Sequence, residues 1–368
     1  MTPGAGADEQ VKVSEEPTDP KHGWDPANRP IKELLNYGLI PLDKTTGPTS
    51  HEEVSWVRRL LGVDKAGHSG TLDPGVSGML PIGLGSATKA LGLLLMFPKE
   101  YVGIMRIHSS VPRKDVDRVI SEFTAEIYQR PPQRSSVKRE TRTRRIYELE
   151  VLEQKGNLFL LRVLCQAGTY IRKLFYDMGE VLNVGATMVE LRRTKVGPLD
   201  ERQGLVNLHE LDIAAHAWKE KGDEAGLRAA IRPIEACLDG IRRVVVKDSA
   251  VDAVCHGAML AIPGVISLSK GISKGETVLL LTAKGEFIAI GEASMTTEEV
   301  QSQPKGIAFP VRRVIMDQGT YPKMWKKKEA ESGPEVAAAS EGKAEKPSEE
   351  KTGPGTIGGR VTQVPADE

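Results

Sequence analysis

Gly67-His-Ser-Gly-Thr-Leu-Asp-Pro-Gly-Val-Ser-Gly-Met-Leu80 is the densest run of unusual local sequence in the chain. Four glycines and a proline in fourteen residues specify a tightly shaped loop, the kind of segment that often carries functional side chains. Read alone, Asp73-Pro74-Gly75 is more often a plain turn, because Asp hydrogen-bonds its own backbone in such turns. The run lacks a Gly-Lys-Ser/Thr ending and a Gly-x-Gly-x-x-Gly, so it is not a phosphate-gripping loop.

Upstream of it, Gly38-Leu-Ile-Pro-Leu-Asp-Lys44 is a short apolar run that ends in the turn-rich Thr45-Thr-Gly-Pro-Thr-Ser50. Ser50 and Glu53 read as a capping box, and Val54, Val57 and Leu61 follow at helical spacing. Downstream, Tyr101–Ile107 reads as a strand. Tyr147, Leu149 and Val151 alternate with glutamates as in a half-buried strand, and Leu158–Leu164 is another. Ile171, Leu174, Phe175, Met178 and Leu182 then recur with the period of an amphipathic helix. Strands with helices at irregular intervals favour an α+β body over a doubly wound one. Residues 205–240 read as helical and as part of this first body. A second unit begins near Ile241, where Arg242–Lys247, Thr277–Thr282, Phe287–Ile290 and Val311–Met316 are short strands separated by Gly-containing turns. About 80 such residues predict a small β-barrel.

Cys165-Gln-Ala-Gly-Thr-Tyr-Ile-Arg172 is a second cluster. A strand ends near Gly168, and Arg172 falls in the first turn of the next helix, where a cation opposes the helix dipole. A buried Asp would repair this, and Asp73 is a candidate partner; a plain surface Arg is the competing reading. Arg130–Arg145 holds seven basic residues, one acid and two prolines, including Arg134, Lys138, Arg139 and Arg142. That strip, with Arg192, Arg193 and Lys195 added, resembles a phosphate-contacting surface; a solvated basic face is the plainer alternative. Tyr101 could stack on a base, although a strand tyrosine is more often core, and His68 has the same standing.

Overall the chain has 368 residues, 39% of them hydrophobic, and no net charge. Residues 1–20 carry −4 and residues 329–368 carry −5, which leaves +9 on the body between them. A basic body with acidic ends suits a polyanionic ligand. Both ends, 1–21 and 321–368, read as disordered. No apolar run approaches the roughly 18 residues of a membrane span, and no signal peptide is evident, so a soluble, cytoplasmic protein is expected. Cys165, Cys237 and Cys255 are scattered, as are the histidines, so buried free thiols and no metal are expected.

Taken in order, Leu42-Asp-Lys with Gly47-Pro-Thr-Ser50, Gly67–Pro74, Lys99-Glu-Tyr101, Gly168-Thr-Tyr-Ile-Arg172 and Leu191-Arg-Arg-Thr194 resemble the successive motifs of the TruB-type pseudouridine synthases. Val245-Val-Lys-Asp-Ser-Ala-Val251 and Cys255-His-Gly-Ala258 are similar to the PUA domain of dyskerin proteins. Thr45 stands where the family commonly has proline. The resemblance covers roughly residues 22–325. It implies a catalytic domain over 22–240, with a mixed, mainly antiparallel sheet and flanking helices, and a PUA RNA-binding domain over 241–320. It also implies Asp73 as nucleophile, Arg172 as its salt-bridge partner, Tyr101 stacked on the target uracil, and His68, Tyr170 and Leu191 around the pocket. Only 30 positions separate Tyr101 from Pro131, which leaves little room for the insertion of bacterial tRNA enzymes and favours the guide-dependent branch. That branch implies an H/ACA guide RNA, a uridine-containing target in rRNA or tRNA, small H/ACA partner proteins on the catalytic domain, and no cofactor. A stand-alone tRNA synthase and a non-catalytic RNA scaffold are the rival readings.

Overall fold

Period-two alternation builds the long strands. Leu158–Cys165 buries Phe159, Leu161, Val163 and Cys165 and leaves the residues between them half-exposed, as a sheet with one packed face requires. The computed structural model describes residues 9–130 and 140–323. In chain order the strands are β1 (Gln10–Lys12), β2 (Gly38–Lys44), β3 (Ala66–His68), β4 (Ser77–Leu84), β5 (Lys99–Ile107), β6 (Glu126–Gln129), β7 (Arg142–Lys155), β8 (Leu158–Cys165), β9 (Ala186–Val196), β10 (Leu199–Asp200), β11 (Arg232–Pro233), β12 (Arg242–Val246), β13 (Leu260–Ala261), β14 (Val265–Ser269), β15 (Thr277–Thr282), β16 (Phe287–Glu292), β17 (Ile307–Phe309) and β18 (Val311–Val314). The helices are α1 (Ile31–Tyr37), α2 (Ser50–Leu61), α3 (Leu91–Met96), α4 (Arg113–Phe123), α5 (Ile171–Val181), α6 (Leu208–Lys221), α7 (Ala225–Ala230), α8 (Asp248–Cys255) and α9 (Thr297–Ser302).

The large sheet runs β11-β2-β4-β9-β5-β8-β7-β6, with β3 on β4 and β10 on β9. Its β4–β9 pair is parallel and its other ladders are antiparallel. The body is therefore α+β with a mixed, mainly antiparallel sheet. α5 buries Ile171, Leu174, Phe175 and Met178, the face its apolar spacing predicts. The second body is a sheet in the order β1-β14-β12-β15-β16-β18, accompanied by the β13–β17 pair. A shared core joins the two: Leu39, Met79, Phe97 and Ile234 of the first body with Leu279, Leu281, Phe287 and Ile315 of the second.

Three expectations need correction. The N-terminal arm is not disordered throughout. β1 extends the second sheet by pairing Gln10, Val11 and Lys12 with Ser269, Leu268 and Ser267, and Val11 and Val13 pack on its core. Further along the arm, Asp248 accepts hydrogen bonds from Thr18 Oγ1 and Asp19 N, each at 2.8 Å. Backbone pairing thus orders a stretch whose composition is too polar to form a core of its own. At the other end, Tyr321 is buried and donates its hydroxyl to Glu286 at 2.8 Å, so the body continues past 320; residues 324–368 lie outside the described residues. Finally, the capping box of α2 is Thr49 with Glu52, one position earlier than Ser50 and Glu53. Ser50 instead bonds the catalytic-loop candidate, and Glu53 is buried.

Candidate active site

The chain leaves β3 at His68 and re-enters the sheet at Ser77. The loop between them is suspended from three polar side chains that the interior holds. Lys44, fully buried at the end of β2, donates its ammonium to the carbonyls of Thr45 (2.8 Å) and Val76 (2.9 Å), and more distantly to those of Asp73 and Pro74. Ser50 accepts from Leu72 N at 2.9 Å and donates to Leu72 O at 3.1 Å. Arg193, 1% exposed on β9, donates to Met79 O (2.8 Å) and Gly70 O (2.9 Å). Gly78 permits the close approach of β9: its φ is +99°, and a Cβ there would stand 2.3 Å from Arg193 O.

With its backbone fixed, the loop presents Asp73 outward. Arg172, from the first turn of α5, donates Nη2 to Asp73 Oδ2, and both side chains remain more than half exposed. The pair spans two elements far apart in sequence. It leaves an ionised carboxylate directed by a guanidinium, open to a ligand. Tyr170 immediately precedes α5, where Gln129 clamps it by accepting from its N–H (3.0 Å) and donating to its carbonyl (3.1 Å).

Tyr101 lies on β5 opposite Arg193 in register and is half-buried; burial raises its phenol pKa. His68 is also half-buried. Burial, then the charges of His51 and Arg193, lower its pKa, so the ring is neutral at pH 7. His51 stands edge-on to it, ring centroids 5.1 Å apart. His68 Nδ1 is buried with no hydrogen-bond partner among the described residues. Leu191 is buried on β9 opposite Gly103, where a Cβ would meet its Cδ1 at 2.7 Å. The arrangement is one anionic nucleophile candidate on the loop with a cationic partner, a neutral imidazole where that loop begins, and an aromatic strand residue opposite the loop-holding Arg193.

Residues 58–171 match the N-terminal domain of the TruB family pseudouridylate synthases, and residues 172–239 the C-terminal domain of tRNA pseudouridylate synthase B. Residues 242–315 match the PUA domain and residues 7–54 the DKCLD domain. A probable tRNA pseudouridine synthase B of Methanocaldococcus jannaschii is 51% identical over 87% of this chain and 95% of its own length. The chain belongs to the dyskerin branch of the TruB-type pseudouridine synthases. A Thermococcus kodakarensis relative of the same name is 50% identical over 87% of this chain and 94% of its own. Among solved structures, an archaeal box H/ACA Nop10–Cbf5 complex aligns with TM-score 0.79 and 46% identity, covering 86% of this chain and 98% of that one. An H/ACA ribonucleoprotein bound to a substrate RNA aligns at 0.81 and 45%, covering 88% and 100%. The chain is an RNA pseudouridine synthase with a PUA domain, and the arm that carries β1 falls within the DKCLD match.

Within this synthase the basic residues separate into those that face solvent and those that do not. Arg193 is not a phosphate contact: its guanidinium is spent inside the protein on the carbonyls of Gly70 in the loop and Met79 on β4. Arg192 is also engaged, giving two hydrogen bonds to Asp43 (2.9 and 3.1 Å) and one to Glu201 (2.7 Å), in a polar cleft shared with Asn207 and Glu210. Charge counting in sequence cannot see such internal partners. Arg142 is half-buried where β7 begins; Arg134, Lys138 and Arg139 lie outside the described residues. All three cysteines are buried as free thiols, and no cluster of ligating side chains suited to a metal occurs among the described residues.

Sequence reading gave Lys44 and Lys99 no role beyond motif matching, because a lysine ordinarily signals surface. Lys99 is 5% exposed and closes α3 by donating to Leu94 O, Leu95 O and Phe97 O at 2.7–3.1 Å. Burial, then the Arg193 charge, pushes its ammonium down to about 8. Between that value and about 10.5 the unfolded chain holds the proton that the folded chain has lost, so stability rises with pH. Compared with Lys99→Met, the wild type should therefore gain up to about 3 kcal/mol between pH 8 and 10.5. Urea titrations across that range would read it, and parallel pH profiles would count against the buried ammonium.

Proposed function

We propose that the chain is the catalytic subunit of a guide-dependent H/ACA ribonucleoprotein that isomerises uridine in ribosomal RNA, with Asp73 as nucleophile. The observation that carries the residue assignment is the Asp73–Arg172 pair, held at the tip of a backbone-anchored loop yet open to solvent. Pseudouridine formation breaks the C1′–N1 bond, turns the base, and joins C1′ to C5. The C5 proton is lost and N1 gains one, so no redox cofactor, nucleotide or metal is called for. A nucleophile for this chemistry must be anionic near neutral pH, and a guanidinium partner favours that form. The target uridine has to leave its stack, at a cost of a few kcal/mol. Stacking on Tyr101 offsets that cost, while His68, Tyr170 and Leu191 shape the pocket and Arg142 adds a phosphate contact.

The guide RNA and small partner proteins are carried over from the relatives, one solved with Nop10 and another bound to a substrate RNA. A catalytic domain over 22–240, a PUA domain from 241 that takes in Tyr321 and the β1 strand of the arm, and a cytoplasmic location complete the reading; no helix among the described residues is long and apolar enough to cross a membrane. A stand-alone tRNA enzyme is the second reading, favoured by the names of the curated relatives. The test quantifies pseudouridine in two reactions: a labelled target with matched guide and partner proteins, and tRNA without a guide. Conversion only with the guide is expected. Efficient conversion of tRNA alone would replace this reading with the second, and no conversion in either reaction would leave an RNA-binding scaffold.

A further inference from the structure

With Arg192 and Arg193 tied to internal partners, the cations that face solvent beside the catalytic loop lie elsewhere. α2 buries Ser50, Glu53, Val57 and Leu61 and turns the opposite face to solvent. That face carries His51, Ser55, Arg58 and Arg59, all exposed and spaced i, i+4, i+7, i+8, so they form one stripe. Exposed Lys65 follows, between α2 and β3. No ion pair engages Arg58, Arg59 or Lys65 among the described residues, although equally exposed cations elsewhere are paired, as Arg113 with Asp117 and Arg118 with Glu122. Of the nearby acids, Glu52 is occupied by the Thr49 N–H and hydroxyl at 2.7 and 2.8 Å. Asp64, beside Lys65, is the exposed exception.

The stripe starts at the site. Ser50, the first residue of α2, holds both polar backbone atoms of Leu72, next to Asp73, and His51 stands edge-on to His68. At 1.5 Å per residue, Arg58 and Arg59 lie about 10–12 Å along the helix from His51. At the far end Lys219 of α6 donates to Leu60 O at 2.6 Å, adding another cation where the helix stops.

We infer that this face of α2 is a phosphate track for the target RNA, with Arg58, Arg59 and Lys65 gripping the backbone on one side of the uridine presented to Asp73. The inference rests on the proposed function for the identity of the ligand. Unpaired cations on a rigid helix neutralise a polyanion without first breaking protein ion pairs, and each phosphate contact releases counterions. Binding along the track orients the strand but does not touch the reacting base. Its loss should weaken binding while sparing turnover at saturation.

The test compares wild type with the triple variant Arg58→Gln, Arg59→Gln, Lys65→Gln, and with a control triple on α4, Arg113→Gln, Lys114→Gln, Arg118→Gln. Affinity for a labelled uridine-containing target, free and paired to its guide, is measured between about 50 and 200 mM salt. For the free target, the α2 triple is expected to lower the slope of log K against log salt by about 2 and to weaken binding at least tenfold at the lower salt. The control should leave both unchanged, and turnover at saturating RNA should be the same in all three proteins. An unchanged slope for the α2 triple, or an equal loss in the control, overturns the track. A loss confined to the guide-paired target overturns its assignment to the target strand. Binding is read separately from product, so absence of pseudouridine with the wild type would sink the proposed function and leave the track judged on the slopes.

Discussion

Asp73→Asn should fold, bind target RNA as the wild type does, and lose at least about 10⁴-fold in pseudouridine formation, in keeping with removal of a nucleophile. The substitution keeps the shape of the side chain and removes its charge. What it removes from stability is small, because both members of the Asp73–Arg172 pair are more than half exposed and such pairs contribute about 0–1 kcal/mol. The loop's anchors do not pass through that carboxylate: Lys44, Ser50 and Arg193 all hold backbone atoms. The variant's melting temperature should therefore stay within about 2 °C of the wild type. Quantifying product under single turnover, together with RNA affinity and thermal melting, separates the possibilities. Activity within tenfold of wild type would remove Asp73 as nucleophile. A variant that loses activity and RNA binding together would make Asp73 a binding residue instead.

The Asp73–Arg172 pairing was legible only in part from the residues. A cation in the first turn of a helix calls for an anion and made Asp73 one candidate, but a plain surface Arg stood beside that reading, and the resemblance to the TruB-type motifs chose between them. The sheet and α5 were legible directly. Their apolar periods are set by burial on one face, so Phe159, Leu161 and Val163 and then Ile171, Leu174 and Phe175 announce their own environment. The N-terminal arm was misread because its order comes from backbone hydrogen bonds to a distant edge strand, to which composition is blind. The basic residues were misread for the opposite reason. Charge was taken as a sign of solvent, but Arg193 and Arg192 answer to carbonyls and carboxylates that the fold brings to them from positions as distant as Gly70 and Asp43. The α2 capping box slipped by one residue because Ser50 was needed for the loop and Thr49 was free to cap.

Lys44→Met should be the most destabilising single change near the site, at about 3 kcal/mol, or roughly a 6 °C fall in melting temperature. Methionine fills similar space, so the loss is polar. The carbonyls of Thr45 and Val76 would be left without the ammonium that Lys44 buries among them, at roughly 1–3 kcal/mol for each buried group left unmet. Burial already raises the pKa of Glu53, 1% exposed, and the Lys44 charge works against that rise. Without Lys44 that opposing charge is gone and the carboxyl pKa goes up further. Glu53→Gln added to Lys44→Met should therefore cost less than it does in the wild type, a coupling that a double-mutant cycle measures. Activity should fall about 100-fold even where the variant is folded, because an approximately 1 Å displacement of a reacting group costs that much and Lys44 reaches the carbonyls on both sides of the Asp73 turn. A melting temperature within about 1 °C of wild type would mean that Ser50 and Arg193 suffice to hold the loop. In that case the preorganisation of Asp73 would lie in α2 and β9 rather than at the end of β2.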